Sequence, residues 1–219
     1  MSELRRTIVG RPDKRSEVVD AAQRVFGRTG YALASMDLVA KEASVSTRTI
    51  YKHFPTKEDL FATVLEASAA RVANDFIREV RDAPLTDPPQ TLLTRLGHAY
   101  LRHLDDHPEH FAMVQQIKAG ALDLPDVAIE RWHLAGPERI LDHITETLKT
   151  LIDAGSLRAR SSSLAALHFV ALVLAPRVVH PYGGSPFELT ASDTVDSAVA
   201  TFLRGYGAPE NSPLQASRG

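Results

Sequence analysis

The sequence predicts an all-α fold, and three observations support that prediction. Apolar residues recur at three- and four-residue spacing along most of the chain. The strict alternation of apolar and polar residues that marks a half-buried strand is almost absent, and glycine is sparse between Glu3 and Ala208. A hydrophobic content of 44% in 219 residues is enough for a buried core in one or two domains.

The N-terminal segment is predicted to contain three short helices. The first follows Asp13 as its N-cap, ends between Gly27 and Gly30, and buries an apolar stripe of Val18, Ala22, Val25 and Phe26. The second runs from about Met36 to Ala43, with Ser35 as its N-cap and with Leu38 and Val39 facing inward. After the link at Ala43 to Val45, the third runs from about Thr47 to His53, and Pro55 ends it.

Six further segments with helical spacing follow, so about nine helices are expected. They run from about Lys57 to Val80, Gln90 to Asp105, Glu109 to Lys118, Val127 to Asp153, Ser163 to His180 and Thr190 to Tyr206. Thr56 and Asp59 resemble a capping box for the first of these segments. Proline and glycine predict breaks at 82–89, 120–125 and 181–186, and Gly155 is predicted as a C-cap residue.

The distribution of charge along the chain is more informative than the net charge of −2. Residues 1–57 hold 11 Lys and Arg against 6 Asp and Glu, whereas residues 58–219 hold 14 against 21. A polyanion would be attracted to the first part and repelled by the second. Charge alone does not identify the partner, but together with the helix pattern of residues 36–53 it leads us to expect a basic arm and a DNA-binding domain in residues 1–57. Residues 58–207 are expected to form a helical ligand-binding and dimerisation domain, and 208–219 a disordered tail.

Several classes of protein are not expected from this composition. Without cysteine, neither a disulfide framework nor a thiolate metal site can form. The polar, basic residues Met1 to Arg15 do not resemble a signal peptide. The longest apolar run, Leu164 to Val179, is interrupted by charged and proline residues and is shorter than the ~20 residues of a membrane span. We expect a soluble, cytoplasmic protein that needs no cofactor and has no membrane partner.

The second and third predicted helices have the spacing of a helix-turn-helix, whose second helix enters the major groove of DNA. The first turn of that helix carries Thr47, Arg48 and Thr49, and arginine is suited to bidentate bonding with guanine. Tyr51, Lys52 and His53 would lie on its flanks, where the phosphates pass. With the capping serines and a lysine at the next helix N-terminus, the predicted DNA-binding residues are Ser35, Ser46, Thr47, Arg48, Thr49, Tyr51, Lys52, His53 and Lys57.

Structural roles for some of these residues stay open at this point. Ser35, Ser46 and Thr56 could serve only as helix caps. Tyr51 could lie at the edge of the core with its hydroxyl in water, and His53 could be a packing residue. Arg48 has the least structural explanation, because an exposed arginine between threonines on a short helix has little to pack against. The basic arm with Arg5, Arg6 and Arg11 could contact DNA or remain a disordered terminus.

Residues 15–60 resemble the DNA-binding domain of TetR-type transcriptional repressors. The resemblance depends on Gly30-Tyr31, on Ile50-Tyr51 followed by His53-Phe54, and on Lys57-Glu58-Asp59-Leu60, with the supporting positions Ala22, Phe26, Ala40, Ala43, Val45 and Ser46. Two positions depart from the family pattern: Ser44 replaces the usual turn glycine, and Asp37 introduces an acid near the second helix. The resemblance implies a homodimer that binds a palindromic DNA operator and represses transcription.

The remaining residues predict a dimer face and a ligand pocket. The segments Leu164 to Val179 and Val195 to Leu203 need more cover than one chain supplies, which favours a homodimer through the last two helices over a monomer. A small amphipathic organic effector is expected between the connector helix, about Lys57 to Val80, and the following helices. Its predicted lining residues are Arg71, Tyr100, His103, Phe111, Gln115, Gln116, Trp132, His133 and His168. The Ser44 turn and the connector helix would transmit effector binding to the DNA-binding domain.

The sequence disfavours two other functions. A helical-bundle metalloenzyme could use His98, His103, His107 and His110, but Pro108 interrupts the helix there and no repeated Glu-x-x-His pair is present. No Gly-rich phosphate loop or Gly-x-Ser-x-Gly motif is found, so an enzyme is not expected. A non-specific DNA-binding protein would need basic residues throughout, and the acidic second part of the chain argues against it.

Overall fold

The computed structural model describes residues 13–81, 87–119, 125–179 and 189–208, and these form ten α-helices. The helices are α1 (Lys14–Leu33), α2 (Met36–Glu42), α3 (Thr47–His53), α4 (Lys57–Arg81), α5 (Pro89–Asp106), α6 (Pro108–Lys118), α7 (Asp126–Ala135), α8 (Pro137–Asp153), α9 (Ser162–Val179) and α10 (Ala191–Tyr206). An antiparallel bridge between Leu157 and Gly207 is the β pairing found within these ranges. The predicted all-α fold is confirmed.

One predicted helix is divided in two. The segment from Val127 to Asp153 breaks at Gly136, and Pro137 begins α8 at a position where its missing N–H is tolerated. Gly136 is buried, and a Cβ there would lie 2.8 Å from the Cβ of Ala69 on α4. The close approach of two backbones at this point therefore requires glycine. The predicted N-terminal arm, the tail 208–219 beyond Ala208 and the turn at 181–186 lie outside the described residues.

The chain forms two compact units. Unit 1 comprises the described residues of Met1–Ser68 and Pro108–Trp132, and unit 2 those of Ala69–His107 and His133–Gly219. Helix α4 contributes its N-terminal part to unit 1 and its C-terminal part to unit 2. Unit 1 thus contains the three predicted N-terminal helices but also α6 and most of α7, which the sequence had placed with the following domain.

The core of unit 1 joins α1, α3, α4 and α6. The predicted stripe of α1 is buried, and the Phe26 ring meets the Phe61 ring edge to face with centroids 5.0 Å apart. Ile50 of α3, the following Phe54 and Met113 of α6 are also almost fully buried in this cluster. Leu38 does not face inward as predicted, because it is 44% exposed while its neighbour Val39 is buried.

Helix α1 is interrupted near its end by Gly30, which adopts a φ of 74°. Glycine is favoured there because a Cβ would be strained in this region. The next residue, Tyr31, donates its backbone N–H to the side-chain oxygen of Gln116 on α6 over 2.7 Å. This bond satisfies a donor that the broken helix leaves free. The predicted end of the first helix between Gly27 and Gly30 is therefore close to the observed break.

Unit 2 is a helical bundle of α5, α8, α9 and α10 together with the C-terminal part of α4. Phe169 of α9 and Phe202 of α10 pack edge to face with centroids 5.4 Å apart. By length and composition alone α9 could cross a membrane, but Phe169 and Val173 are fully buried against the bundle. The face of α9 that carries these residues is therefore part of a protein core.

Candidate nucleic-acid interface

The position of α3 in unit 1 leaves its polar side exposed. Ile50 is fully buried and Phe54, which ends the helix, is 2% exposed, so these two apolar side chains fix one side of α3 to the core. Arg48, Tyr51 and Lys52 lie on the exposed side, and Tyr51 is 52% exposed. The Tyr51 side chain can therefore contact a binding partner. This exposure also agrees with the alternative that Tyr51 lies at the edge of the core with its hydroxyl in water.

The N-terminus of α3 is held by a serine cap. The Ser46 hydroxyl accepts a hydrogen bond from the backbone N–H of Thr49 over 3.2 Å and lies 2.8 Å from the Thr49 hydroxyl. Ser35 caps α2 in the same way by accepting from the Leu38 N–H over 3.1 Å. Thr56 accepts from the Asp59 N–H over 3.0 Å at the start of α4. The predicted capping roles of all three residues are present.

A shallow groove runs along the exposed side of α3. It is lined by Ser46, Arg48, Thr49, Lys52, His53 and, from α1, Lys14. Arg15 next to it places its guanidinium 5.1 Å from the centre of the Phe54 ring. The groove therefore combines cations from two helices with hydroxyl groups. Such side chains bind the phosphates and base edges of DNA. Lys14 was not predicted, because its proximity to α3 depends on the packing of α1.

The first residue of α3 is tied to α2 by an acid. The Thr47 hydroxyl donates to Asp37 Oδ1 over 2.7 Å. Asp37 is exposed, and Thr47 is half-buried. The departure from the family pattern at Asp37 thus lies directly beside a predicted DNA-binding residue.

The turn between α2 and α3 contains Ser44 with a φ of 55°, the one non-glycine residue with positive φ in the described ranges. The backbone N–H of Val45 donates to the Ala40 carbonyl over 3.0 Å, which closes the turn. Serine therefore occupies a conformation that glycine adopts without strain. The expectation that this position must tolerate a Cβ is confirmed.

Lys57 has more structural contacts than the sequence predicted. Its ammonium donates to the carbonyls of Tyr31 and Ala34 over 2.9 and 3.1 Å and lies 4.1 Å from the centre of the Tyr31 ring. Two of its three donors are therefore engaged within unit 1. Lys57 therefore joins the start of α4 to the end of α1, and its contact with a phosphate stays a prediction.

Tyr31 is the second part of this junction. Its hydroxyl donates to the carboxylate of Glu58. Burial, followed by this hydrogen bond and the negative charge of Glu58, raises the pKa of the Tyr31 hydroxyl well above its usual value. The same hydrogen bond lowers the pKa of the Glu58 carboxyl. Tyr31, Lys57 and Glu58 thus join the end of α1, on which α3 packs, to the start of α4.

The predicted pocket residues are divided between the two units. Phe111, Gln115, Gln116 and Trp132 belong to unit 1, whereas Arg71, Tyr100, His103, His133 and His168 belong to unit 2. Within unit 1, Gln116 binds Tyr31 and Trp132 packs against the core of α1 to α4, so both have structural roles. Phe111 packs against His110 with ring centroids 5.0 Å apart, and Gln115 is exposed.

In unit 2, the structure brings two predicted pocket residues together. The rings of Tyr100 and His103 are 4.7 Å apart, and Phe76 of α4 contacts both. Burial lowers the pKa of His103 to about 4 and raises the pKa of Tyr100 to about 12. Arg71 and His133 are exposed, and the exposed His168 instead shares a 2.6 Å hydrogen bond with Tyr206 of α10. This bond joins α9 to α10, and a role of His168 in a ligand pocket stays a prediction.

The sequence also missed a cavity in unit 2. It lies among the end of α4, α5 and α8 and is lined by Val80, Arg81, Leu92, Arg95, Leu96, His143, Glu146, Thr147 and Thr150. Burial lowers the pKa of His143, and the charge of Arg81 lowers it further. The lining combines leucines with cationic and hydroxyl groups, as sites for amphipathic ligands do. Helical periodicity alone could not show that these three helices leave a space between them.

Two of the histidines that raised the possibility of a metal site have other partners. His107 lies 3.5 Å from Asp75, and His110 shares a 2.8 Å hydrogen bond with Ser68. In the four ranges that the structure describes, no cluster of three or more His, Asp or Glu side chains is arranged to hold a metal ion.

Comparison with known proteins gives two family matches. Residues 18–64 match the family described as bacterial regulatory proteins, tetR family. Residues 91–208 match the C-terminal domain described as that of an AefR-like transcriptional repressor. The first match covers α2, α3 and every groove residue except Lys14, and the second covers most of unit 2 together with α6 and α7.

Individual proteins agree with these matches. The transcriptional activator FasR of Mycolicibacterium smegmatis is 36% identical over 73 residues, which are 33% of this chain and 32% of FasR. The transcriptional regulator BetI of Vibrio parahaemolyticus is 22% identical over 160 residues, covering 73% of this chain and 79% of BetI. A crystal structure of a TetR-family regulator from Mesorhizobium loti has a TM-score of 0.75 at 25% identity and covers 89% of this chain and 97% of its own.

The FasR alignment spans only about a third of that protein, whereas the two family matches together extend over most of the described residues here. The C-terminal match alone includes more than half of the 219 residues. This chain belongs to the TetR family of transcriptional regulators.

Proposed function

We propose that this protein is a cytoplasmic repressor that binds a palindromic DNA operator as a homodimer and is released by a small amphipathic organic effector. The observation that carries the proposal is the exposed, cation- and hydroxyl-bearing side of α3, whose opposite side is fixed by the buried Ile50 and Phe54. The match of residues 91–208 to the C-terminal domain of a repressor supports repression rather than activation. The relatives are regulators, so a binding function rather than catalysis is proposed.

The proposed contacts with DNA divide into two kinds. Arg48 has five N–H donors in a fixed planar arrangement and suits guanine O6 and N7 in the major groove. Lys14, Lys52 and His53 line the same groove and would lie along the phosphates. Ser46, Thr49 and Tyr51 offer hydroxyl groups to either target, and Ser35 remains a candidate for a phosphate near α2. Arginine sets the base preference in this proposal, and the other cations supply most of the affinity.

The proposed dimer uses the outer face of α9. Leu164 and Leu167 are each 50% exposed and Val178 is 69% exposed, although the helix also packs an apolar inner face against α5, α8 and α10. These three residues and Ala171 and Ala175 recur at helical spacing, so they form one apolar stripe. A second copy of the chain would cover this stripe by twofold symmetry. Two copies of α3 could then bind successive major grooves.

The proposed effector site is the cavity of unit 2. Leu92 and Leu96 would contact the apolar part of the effector, and Arg81 and Arg95 would contact its polar part. An effector can change operator affinity only if it binds more tightly to one arrangement of the dimer than to the other. A coupling of roughly 1–3 kcal/mol would change operator affinity about 5- to 150-fold. If compounds that bind unit 2 leave operator affinity unchanged, the proposed release mechanism is wrong.

Selection of bound duplexes from a random pool, with the full chain, tests the DNA-binding part of the proposal. We expect two inverted half-sites whose centres are about one helical turn, or a multiple of it, apart. Comparing the selected duplex with random DNA at two salt concentrations should show a large affinity ratio that persists. Equal affinity for both duplexes would instead indicate a non-specific DNA-binding protein.

A further inference from the structure

The hydrogen bond between Thr47 and Asp37 changes what the beginning of α3 can offer to DNA. A threonine hydroxyl has one proton, and here it is donated to Asp37 Oδ1 over 2.7 Å. The Thr47 oxygen is left with lone pairs, and a carboxylate is acceptor-only. The start of α3 therefore presents acceptors, whereas the adjacent Arg48 presents donors. The exposure of Asp37 leaves its carboxylate accessible from outside.

We propose that Asp37 and Thr47 form an acceptor pair that selects cytosine at one position of each operator half-site. This inference rests on the proposed operator binding. In the major groove, cytosine presents its N4 amino group as a donor, and Asp or Glu can accept from it. Adenine also has an amino donor, but its neighbouring N7 is an acceptor that would repel the carboxylate. Guanine presents N7 and O6 and thymine presents O4, all of them acceptors.

The same carboxylate disfavours DNA that lacks this base. An acid close to the duplex is repelled by the phosphates, and this repulsion acts on every sequence. Only a donor placed opposite the carboxylate can compensate for it. Asp37 thus increases specificity in part by weakening the wrong complexes, which is an effective way to separate similar partners.

The alternative is that Asp37 only links α2 to α3. The substitution Asp37→Asn separates the two roles, because the asparagine side-chain oxygen can still accept from the Thr47 hydroxyl with almost the same shape. Asparagine also adds an N–H₂ group, and this combination is suited to bidentate bonding with adenine N6 and N7. The inference therefore predicts a change of preferred base from cytosine to adenine at one position, whereas a purely structural link predicts no change.

The experiment measures competition binding of the full chain to its selected operator and to every single-base variant of one half-site, introduced symmetrically. For the wild-type protein we expect at least one cytosine whose replacement weakens binding about 10-fold or more. In Asp37→Asn this preference should fall by about 10-fold and adenine should become preferred at the same position. Thr47→Val, which removes the hydroxyl that orients the carboxylate, should reduce the cytosine preference without creating one for adenine.

Asp126→Asn is the matched control, because it removes one exposed carboxylate on α7, outside the helix-turn-helix. It should leave the base preferences unchanged, and thermal unfolding should show that all three variants are folded. If Asp37→Asn raises the affinity for all duplexes equally and keeps every base preference, the inference is overturned while operator binding stands. If the wild-type protein prefers no duplex over another, the proposed function itself fails.

Discussion

At the scale of single residues, Arg48 and Lys57 show how differently two cations of the same domain are placed. Arg48 lies on the exposed side of α3 and forms no ion pair with any acid in the described part of the chain. Lys57 is half-buried, with its ammonium on two backbone carbonyls and over the Tyr31 ring. Arg48 is therefore free to bind a partner, whereas Lys57 stabilises the fold.

Replacing Lys57 should affect stability more than DNA binding. Lys57→Met keeps most of the alkyl chain but removes two hydrogen bonds from a charged donor, so the free energy of unfolding should fall by about 1–3 kcal/mol. Chemical denaturation measures this change. The matched control is Lys52→Met, an exposed lysine of α3, which should leave the unfolding free energy within about 0.5 kcal/mol of wild type. Equal effects of the two substitutions would contradict the role assigned to Lys57.

His103 should make the protein sensitive to acid. Its pKa is lowered to about 4 by burial, whereas in the unfolded chain it has the ordinary value of 6.5. Below pH 6.5 His103 becomes protonated in the unfolded state, whereas in the folded state it stays neutral down to about pH 4. The free energy of unfolding therefore falls as the pH decreases from 6.5 to 4. The contribution amounts to about 3 kcal/mol between pH 7 and pH 4.

Thermal or chemical unfolding of His103→Gln between pH 7 and pH 4.5 tests this point. The variant should lose less of its stability on acidification than the wild-type protein, whatever its stability at pH 7. The exposed His133 provides the comparison, because His133→Gln should keep the wild-type dependence on pH. An unchanged acid sensitivity in His103→Gln would show that its burial does not control the effect.

Residue identities alone could predict which polar groups α3 exposes but not all of their partners. A short, capped, polar helix has little to pack against, which is why the sequence predicts Arg48, Thr49 and Lys52 as DNA-binding residues. The contacts of Thr47 with Asp37, of Lys57 with Tyr31, and of Lys14 with the groove connect residues 10 to 39 positions apart. Local sequence patterns cannot predict contacts between residues so far apart in the chain, because these contacts depend on how the helices pack.

At the scale of helices and turns, the spacing of apolar residues predicts where helices lie in the sequence better than which helices pack together. Helix α6 was predicted nearly to its ends, but its place in unit 1 was not. The sequence predicts that the first helix ends near Gly27, but Gly27 lies inside α1. A Cβ at this position would come within 2.5 Å of the Glu109 Cβ on α6. The glycine therefore permits close packing of α1 on α6, which a one-dimensional pattern does not reveal.

The turn at Ser44 allows a prediction about strain. A β-branched residue is strongly disfavoured at a φ of 55°, so Ser44→Val should destabilise the protein by about 1–2 kcal/mol. Ser44→Gly relieves the strain of the Cβ but makes the unfolded chain more flexible, and these opposing effects are each about 1 kcal/mol. The glycine variant should therefore lie within about 1 kcal/mol of wild type. A valine variant as stable as the glycine variant in chemical denaturation would contradict the observed turn.

At the scale of the whole molecule, the proposed dimer links unit 2 to DNA recognition. Leu167→Glu places a charge in the middle of the apolar stripe of α9 and should convert the dimer to a monomer, as sedimentation would show. Operator affinity should fall by at least about 100-fold, because only one half-site is then held at a time. Leu134→Glu alters a leucine that is 53% exposed on α7 and should leave both the dimer and the affinity unchanged. A dimeric Leu167→Glu would place the interface elsewhere.

The charge distribution belongs to the same scale. The excess of cations in residues 1–57 and of acids in residues 58–219 would orient each chain with its N-terminal part toward DNA. This asymmetry, the all-α class and the helix-turn-helix could be predicted from the sequence. The cavity of unit 2 could not, because its lining residues come from three helices and most of them are common on any helix surface.

The most direct measurement compares the wild-type protein with Arg48→Ala on the selected operator and on each of its single-base variants. Arg160→Ala, which changes an exposed arginine of unit 2, serves as the control. We expect Arg48→Ala to weaken operator binding by about 1–3 kcal/mol and to lose the preference at one base pair in each half-site, while Arg160→Ala keeps every preference. If Arg48→Ala instead weakens binding to all duplexes equally, or leaves it unchanged, then α3 does not read the operator as proposed.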